Sequence, residues 1–144
     1  NPELGELYTA KIFAILYESW PVKKGLDAAM VTGVEYDTDN LYVHNAPRQP
    51  REWDVCSGLF NWLEREEYIR TDGLRGNVWT LGRTELTQKA IEALKKMPDP
   101  LNPDKKRSMG DAIVDAVKHG GEQAVNQVIK LSMTGLYHYL SKQV

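Results

Sequence analysis

Apolar side chains recur every three or four positions near the start of the chain, which is the spacing of one face of a helix. The pattern predicts a first helix over residues 3–19, and Pro21 ends it. Its apolar positions are Leu4, Leu7, Tyr8, Ile12, Ile15 and Leu16. A shorter helix is predicted over residues 22–31, with Gly33 as its terminator.

The middle of the chain changes from a polar segment to a helix and then to a hairpin. Residues 34–50 are polar and proline-bearing, which predicts a loop, with a short strand at 41–43 as an alternative. Helical spacing returns over 51–67. The residues that share its apolar face are Val55, Leu59, Trp62 and Leu63. Two β-prone runs, 68–71 and 78–81, flank a glycine-rich turn and predict a β-hairpin.

Three further segments follow the hairpin. Thr87 can cap a helix whose apolar stripe is Ala90, Ile91, Leu94 and Met97. Three prolines in residues 98–107 prevent a helix there and predict a linker or an extended strap. A capping-box pattern starts a helix over 108–118, a Gly-Gly pair breaks it, and a final helix follows over 122–141.

These elements divide the chain into three parts. Residues 1–97 form a mainly α domain with a small β-hairpin, 98–107 are the linker or strap, and 108–144 are a C-terminal helical pair. The final helix carries an apolar stripe that must be covered, either by the same domain or by a twofold partner. The stripe residues that are candidates for contact with a partner are Val128, Met133 and Leu136.

A short motif joins the third helix to the hairpin. It reads Leu-Phe-Asn-Trp-Leu-Glu-Arg-Glu-Glu-Tyr-Ile-Arg at 59–70, and Leu-Thr-Gln-Lys-Ala at 86–90 opens the next helix. The combination resembles the winged-helix (winged helix-turn-helix) superfamily, many of whose bacterial members have a Trp-Leu-Glu-x-x-x-Tyr-Ile stretch before the wing. The resemblance covers roughly residues 3–97. The chain departs from it in the long connection before the third helix and in Ala90, where members often have glycine.

The resemblance implies a winged-helix-like fold and a non-enzymatic DNA-binding protein of the transcriptional-regulator type. In such proteins the helix before the wing enters the major groove of duplex DNA, and the wing contacts phosphates or a minor groove. The corresponding helix here is 51–67. Candidate DNA contacts are the arginines at the start of this helix and in the wing, namely Arg48, Arg51, Arg70, Arg75 and Arg83.

The distribution of charge along the chain affects how well each of these elements suits DNA. The chain has 18 Lys and Arg against 20 Asp and Glu, a net charge of -2, which excludes a polycation. Residues 47–107 are the only net positive part, but the helix 51–67 is net -3 and would be repelled by phosphates. The wing arginines outweigh Asp72, so the wing is the more suitable contact. The basic cluster at 105–107 is interpreted as solvated.

The acidic third helix and the C-terminal stripe also fit a second function, a protein-interaction or assembly module that uses the fold without DNA. Trp53 and Trp79 are candidate anchors for a protein partner, because exposed tryptophans are frequent in interfaces. Core packing is nevertheless the favoured interpretation of the four tryptophans.

The chain lacks the patterns of an enzyme or a metal site. Its three histidines are scattered, and no phosphate-binding glycine motif occurs. Cys56, the single cysteine, excludes an internal disulfide and is expected to be a buried thiol. No run of about 18 apolar residues predicts a membrane helix. We therefore expect a cytoplasmic protein without catalytic residues, metal or cofactor.

Overall fold

The computed structural model describes residues 2–36, 48–73, 77–102, 104 and 106–141, and the side chains there except those of 2, 3, 133 and 136–141. It is mostly helical with one small antiparallel sheet. The predicted strand alternative at 41–43 lies outside these residues.

Helix α1 spans Pro2–Ser19, as predicted. It lies at the centre of the described fold, because it contacts most of the other helices and also the sheet. Ile12, Phe13 and Leu16 are completely or almost completely buried. A helix that is apolar around most of its circumference is stable only inside a core. The sequence places this helix correctly, and the packing shows why its apolar positions are so dense.

The helix predicted over residues 22–31 is wrong in its first half. Strand β1 occupies Lys24–Asp27, and only Ala28–Thr32 is helical, as the short α2. The Asp27 side chain caps α2 by accepting a hydrogen bond from the Met30 backbone N–H at 2.8 Å. The strand forms because β3 pairs with it, a long-range contact that outweighs local helix propensity. Gly33 ends α2 in a left-handed conformation with φ 73°, as predicted.

The predicted hairpin is confirmed, and it belongs to a three-stranded sheet. Helix α3 spans Arg51–Arg65, β2 spans Ile69–Asp72 and β3 spans Thr80–Leu86. β3 begins later and runs further than the predicted 78–81. The strand order is β1-β3-β2, with both pairs antiparallel. A side chain at Gly82 would collide with the backbone carbonyl of Asp72, so the two strands approach closely there.

Helix α4 spans Gln88–Lys96, and the Thr87 side chain caps it as predicted, by accepting from the Ala90 N–H. The segment that follows is anchored at both ends. The Asp99 N–H donates to the Arg107 carbonyl at 3.0 Å, and an isolated bridge joins the same two chain segments one residue further out. The strap is therefore a closed loop between α4 and the next helix.

The C-terminal helices pack on α1 of the same chain. Helix α5 spans Met109–Asp115 behind a capping box, a π-helical turn spans Ala116–Gly120, and helix α6 spans Gly121–Ser141. The predicted break at the glycine pair is confirmed by φ 70° at Gly121. The helix predicted over 108–118 is α-helical only as far as Asp115, because the π-helical turn begins at Ala116.

One core therefore includes residues from both ends of the chain. A Cβ at Gly110 would collide with the Tyr17 ring, so α5 and α1 are in close contact. Val128, a candidate for a partner contact, is only 4% exposed and lies in this core instead. The side chains of Met133 and Leu136 lie outside the described part. Among the described helices, none has both the length and the apolar character needed to cross a membrane.

Candidate nucleic-acid interface

The buried face of α3 determines which side chains it presents to solvent. Its fully buried residues are Trp53, Cys56, Phe60 and Leu63. Of the four residues predicted for this face, Leu63 is buried, but Val55, Leu59 and Trp62 are only partly buried. The stripe is shifted around the helix because α3 packs between α1 and α2, and sequence periodicity does not specify that position.

The N-terminal end of α3 carries two arginines beside two acids of the first turn, Glu52 and Asp54. Arg48 and Arg51 are both exposed, and within the described part of the chain neither forms an ion pair. Asp54, one turn later, accepts a hydrogen bond from the Gln49 side chain at 3.3 Å. The start of α3 therefore presents Arg48 and Arg51 together with two carboxylates, beside backbone N–H groups that have no partner inside the helix.

The C-terminal end of α3 is acidic. Glu64, Glu66 and Glu67 are exposed around the single base Arg65. Glu67 is 3.8 Å from the Lys89 ammonium, and both side chains are open to solvent. Burial, together with the charge of Glu66, raises the pKa of Tyr68, which keeps this tyrosine neutral. This end of α3 repels phosphate.

Two arginines of the wing lie opposite acids in the sheet. Arg70 lies directly opposite Glu85, and Arg83 lies opposite Asp72. Directly opposite residues of an antiparallel pair share one face of the sheet, so each arginine has a carboxylate on its own face, although neither arginine forms an ion pair in the described part of the chain. Lys23 also binds Asp72 at 2.6 Å. The hydrogen bond from Lys23 lowers the pKa of Asp72, and the charge of Arg83 adds to this effect.

This register corrects the charge estimate for the wing, which counted Asp72 alone against the arginines. Glu85 was missed because only the strand pairing shows that it lies opposite Arg70. The alternation of the hairpin was the signal that could have revealed it. Arg75 lies outside the described residues.

A second basic surface was missed by sequence reasoning. Lys95 and Lys96, from the last turn of α4, line an open groove of about 460 Å³ together with Lys106 and Arg107 of the strap. The Lys95 ammonium also lies 3.8 Å from the ring centroid of Trp20. Arg107 is held between Asp99 and Asp115, at 3.7 and 3.6 Å. The sequence separates these bases, and only the closed strap brings them together.

The two tryptophans proposed as partner anchors are buried in the core. Trp53 is 4% exposed and Trp79 is 9% exposed, which confirms core packing for both. The Trp53 indole N–H donates to the Val34 carbonyl at 2.7 Å. Neither ring can anchor a partner at the surface in this conformation. Trp20 is the most exposed tryptophan of those described, at 37%.

The described residues contain no group of three or more His, Cys, Asp or Glu side chains that could hold a metal ion. Burial raises the pKa of the Cys56 thiol to about 12, so it is neutral and unsuited to nucleophilic attack near pH 7.

Comparison with other proteins gives no relative: no family model, curated protein or solved structure matches the chain. The function of the chain is therefore inferred from its own geometry.

Proposed function

We propose that the chain is a winged-helix-like protein that binds duplex DNA through the N-terminal end of α3. The observation that carries the proposal is topological. The elements follow the order α1, β1, α2, α3, β2, β3, and the sheet has the order β1-β3-β2. This is the arrangement that holds the third helix and the wing of a winged-helix protein in position for a DNA duplex.

The charge distribution supports contact by one end of α3 only. Arg48 and Arg51 can reach phosphates, although Glu52 and Asp54 beside them weaken the attraction, and the acids at the far end of the helix face away from the duplex in an end-on docking. Arg70 and Arg83 of the wing add less, because each has a carboxylate opposite it. We therefore expect few phosphate contacts, modest affinity and binding that weakens sharply with salt.

Fluorescence anisotropy on a labelled random-sequence duplex tests the proposal. We expect saturable binding at about 50 mM salt that falls steeply towards about 200 mM. Changing Arg48→Ala and Arg51→Ala together should lower the slope of log affinity against log salt by about two. Arg65→Ala, at the acidic end of the same helix, is the matched control and should leave the slope unchanged. The absence of salt-dependent binding would reject the proposal.

The acidic end of α3 favours a second function, an interaction module with a basic protein surface as its partner. A titration with a labelled polylysine peptide separates the two functions. If the acidic end of α3 binds a basic surface, Glu64→Gln combined with Glu67→Gln lowers the affinity for this peptide. If only the arginine end is used, the peptide does not bind saturably and the same pair of changes leaves DNA binding unaltered.

A homodimer is the specific form of that alternative predicted from the C-terminal stripe. Leu131 of α6 is 45% exposed, although Val128 and Ile129 beside it are buried in the same chain. A mass that rises with concentration in sedimentation equilibrium, and that Leu131→Glu lowers, supports the homodimer. A monomer at every concentration excludes it.

A further inference from the structure

The open groove between the end of α4 and the strap has a strongly positive lining, and we call it the basic groove. Four bases and one acid line it, namely Lys95, Lys96, Lys106, Arg107 and Asp111. Its volume of about 460 Å³ lies within the range of about 300–1,000 Å³ that is typical of small-molecule sites. In a chain whose net charge is -2, such a concentration of positive charge favours an anionic ligand.

The lysines of the basic groove lack acidic partners. Elsewhere on the described surface, Lys23 and Lys118 bind carboxylates at 2.6 and 2.7 Å. By contrast, Lys95, Lys96 and Lys106 form no ion pair within the described part of the chain. Positive charges held near one another repel, and an anion that binds between them removes this repulsion.

Arg107 has hydrogen-bond donors that the fold does not use. Within the described part of the chain, its guanidinium donates one hydrogen bond, at 3.4 Å, to the Asp111 carbonyl. Its contacts with Asp99 and Asp115, at 3.7 and 3.6 Å, are longer than the roughly 2.7–2.9 Å of a charge-assisted hydrogen bond. The side chain is 35% exposed, so the N–H groups of its exposed part can bind a ligand in the groove.

The other polar groups of the lining also suit an anion. The Asp111 carboxylate accepts from the Ser108 backbone N–H at 3.5 Å, as part of the capping box that begins α5. The hydroxyls of Tyr17 and Ser108 are hydrogen-bonded to each other at 3.2 Å, and both residues line the groove. Because that bond uses the proton of only one hydroxyl, the other can donate to a ligand oxygen.

The fold brings these groups together before a ligand binds. The backbone hydrogen bond between Asp99 and Arg107 closes the strap, which places Lys106 beside the last turn of α4. The Lys95 ammonium lies 3.8 Å from the Trp20 ring centroid, which restricts this side chain. Groups that are already in position lose less conformational entropy when a ligand binds.

We propose that the basic groove binds a small molecule that carries a short chain of phosphate groups. The bases come from two elements, α4 and the strap, and a chain of phosphates can contact both, whereas a single phosphate contacts fewer of them. Arginine and lysine are the usual protein partners of phosphate. The site does not depend on the proposed DNA contact, because none of its residues belongs to α3 or the wing.

Isothermal titration of the full chain with inorganic triphosphate, at about 50 mM salt and without DNA, tests the inference. Inorganic monophosphate is the matched probe with a single phosphate group. We expect saturable binding of triphosphate, and binding of monophosphate weaker by about tenfold or more, because each hydrogen bond lost to a charged group costs about this factor. Equal affinities for the two probes, or no saturable binding of triphosphate, would overturn the proposal.

A pair of double variants locates the site. Lys96→Ala combined with Lys106→Ala removes two exposed bases from the groove, and the affinity for triphosphate should fall by about tenfold or more. Lys11→Ala combined with Lys130→Ala removes the same charge outside the groove and should bind triphosphate as the wild type does. Equal losses in the two double variants would show that triphosphate responds only to net charge, which rejects the site.

The duplex titration described above distinguishes a small molecule from the phosphates of DNA. We expect the variant with Lys96→Ala and Lys106→Ala to retain the salt slope of the wild type for duplex DNA. A slope lower by about two would show that the groove contacts the DNA backbone, and it would overturn the assignment to a small molecule.

Discussion

The two ends of α3 differ in charge, burial and attachment, although they belong to one helix of 15 residues. At its start, exposed arginines lie outside while Trp53 is buried between two other rings. At its end, glutamates surround a half-buried Trp62 that packs on Tyr68. The net charge of a helix therefore does not show how the charges are distributed over its surface. The start is balanced, with two arginines and two acids, whereas the end is net acidic and repels an anion.

The largest effect is expected from the contrast between two tryptophans. Trp53→Ala should lower the free energy of unfolding by about 3–5 kcal/mol, because it empties a buried site that neighbouring rings cannot refill. Trp62→Ala, at the more exposed end, should cost about 1–2 kcal/mol. Urea denaturation of both variants measures the difference. Equal losses would show that the two ends are equally anchored.

A pH effect is expected at Cys56, one turn after Trp53. Burial raises its pKa from 9.0 to about 12, so the folded state keeps a proton that the unfolded state loses. The contribution is constant below pH 9, and the free energy of unfolding then falls by up to about 1.4 kcal/mol per pH unit as the pH rises towards 12.

Cys56→Ala provides the control for this titration, because other groups also titrate at high pH. Urea denaturation of wild type and variant between about pH 8 and pH 10.5 should show the steeper decline for the wild type. Parallel pH profiles would mean that the thiol is less buried than the fold indicates.

A smaller, stabilising effect is expected at Gly58, midway between the two ends. A Cβ there meets no heavy atom within 4 Å, so alanine adds helix propensity without a clash. Gly58→Ala should raise the free energy of unfolding by about 0.5–1 kcal/mol. Gly110→Ala is the contrasting control, since its Cβ meets the Tyr17 ring, and thermal melting should show the opposite sign. A loss of stability in Gly58→Ala would show that this face of α3 is covered.

The smallest effect is expected at the acidic end. The pair Glu67 and Lys89 is separated by 3.8 Å and is open to solvent, so Glu67→Gln should change stability by less than about 1 kcal/mol. Melting curves recorded at low and high salt measure the change. A larger loss of stability at low salt that disappears at high salt would show that ion pairs stabilise this end of α3.

Local signals predicted a large part of the fold. The spacing over 3–19, the capping threonine at Thr87 and the capping box at Ser108 each act within a few residues, and the structure confirms them. Strand β1 was missed because it exists only through pairing with β3, more than 50 residues away. Local propensity contains no information about such a partner.

The candidate sites were less predictable for the same reason. The sequence proposed Arg70 and Arg83 as DNA contacts, but the strand register places an acid opposite each. It proposed core packing for Trp53 and Trp79, which is confirmed, yet it could not bring Lys96 and Lys106 to the same groove. The sequence was sufficient to propose candidate residues. The tertiary structure was needed to show which of these residues lie next to each other.

The closed base of the strap has a consequence for how this protein can be altered. Asp99 and Arg107 are joined by a backbone hydrogen bond, and the Met109 N–H donates to the Met97 carbonyl at 2.8 Å. These bonds fix the distance between α4 and α5 independently of the number of residues in the loop. Extra residues between them, such as a peptide epitope or a labelling tag, should therefore be accommodated without displacing either helix. The loop is therefore a site where a peptide can be attached, because the length of the loop does not set the positions of α4 and α5.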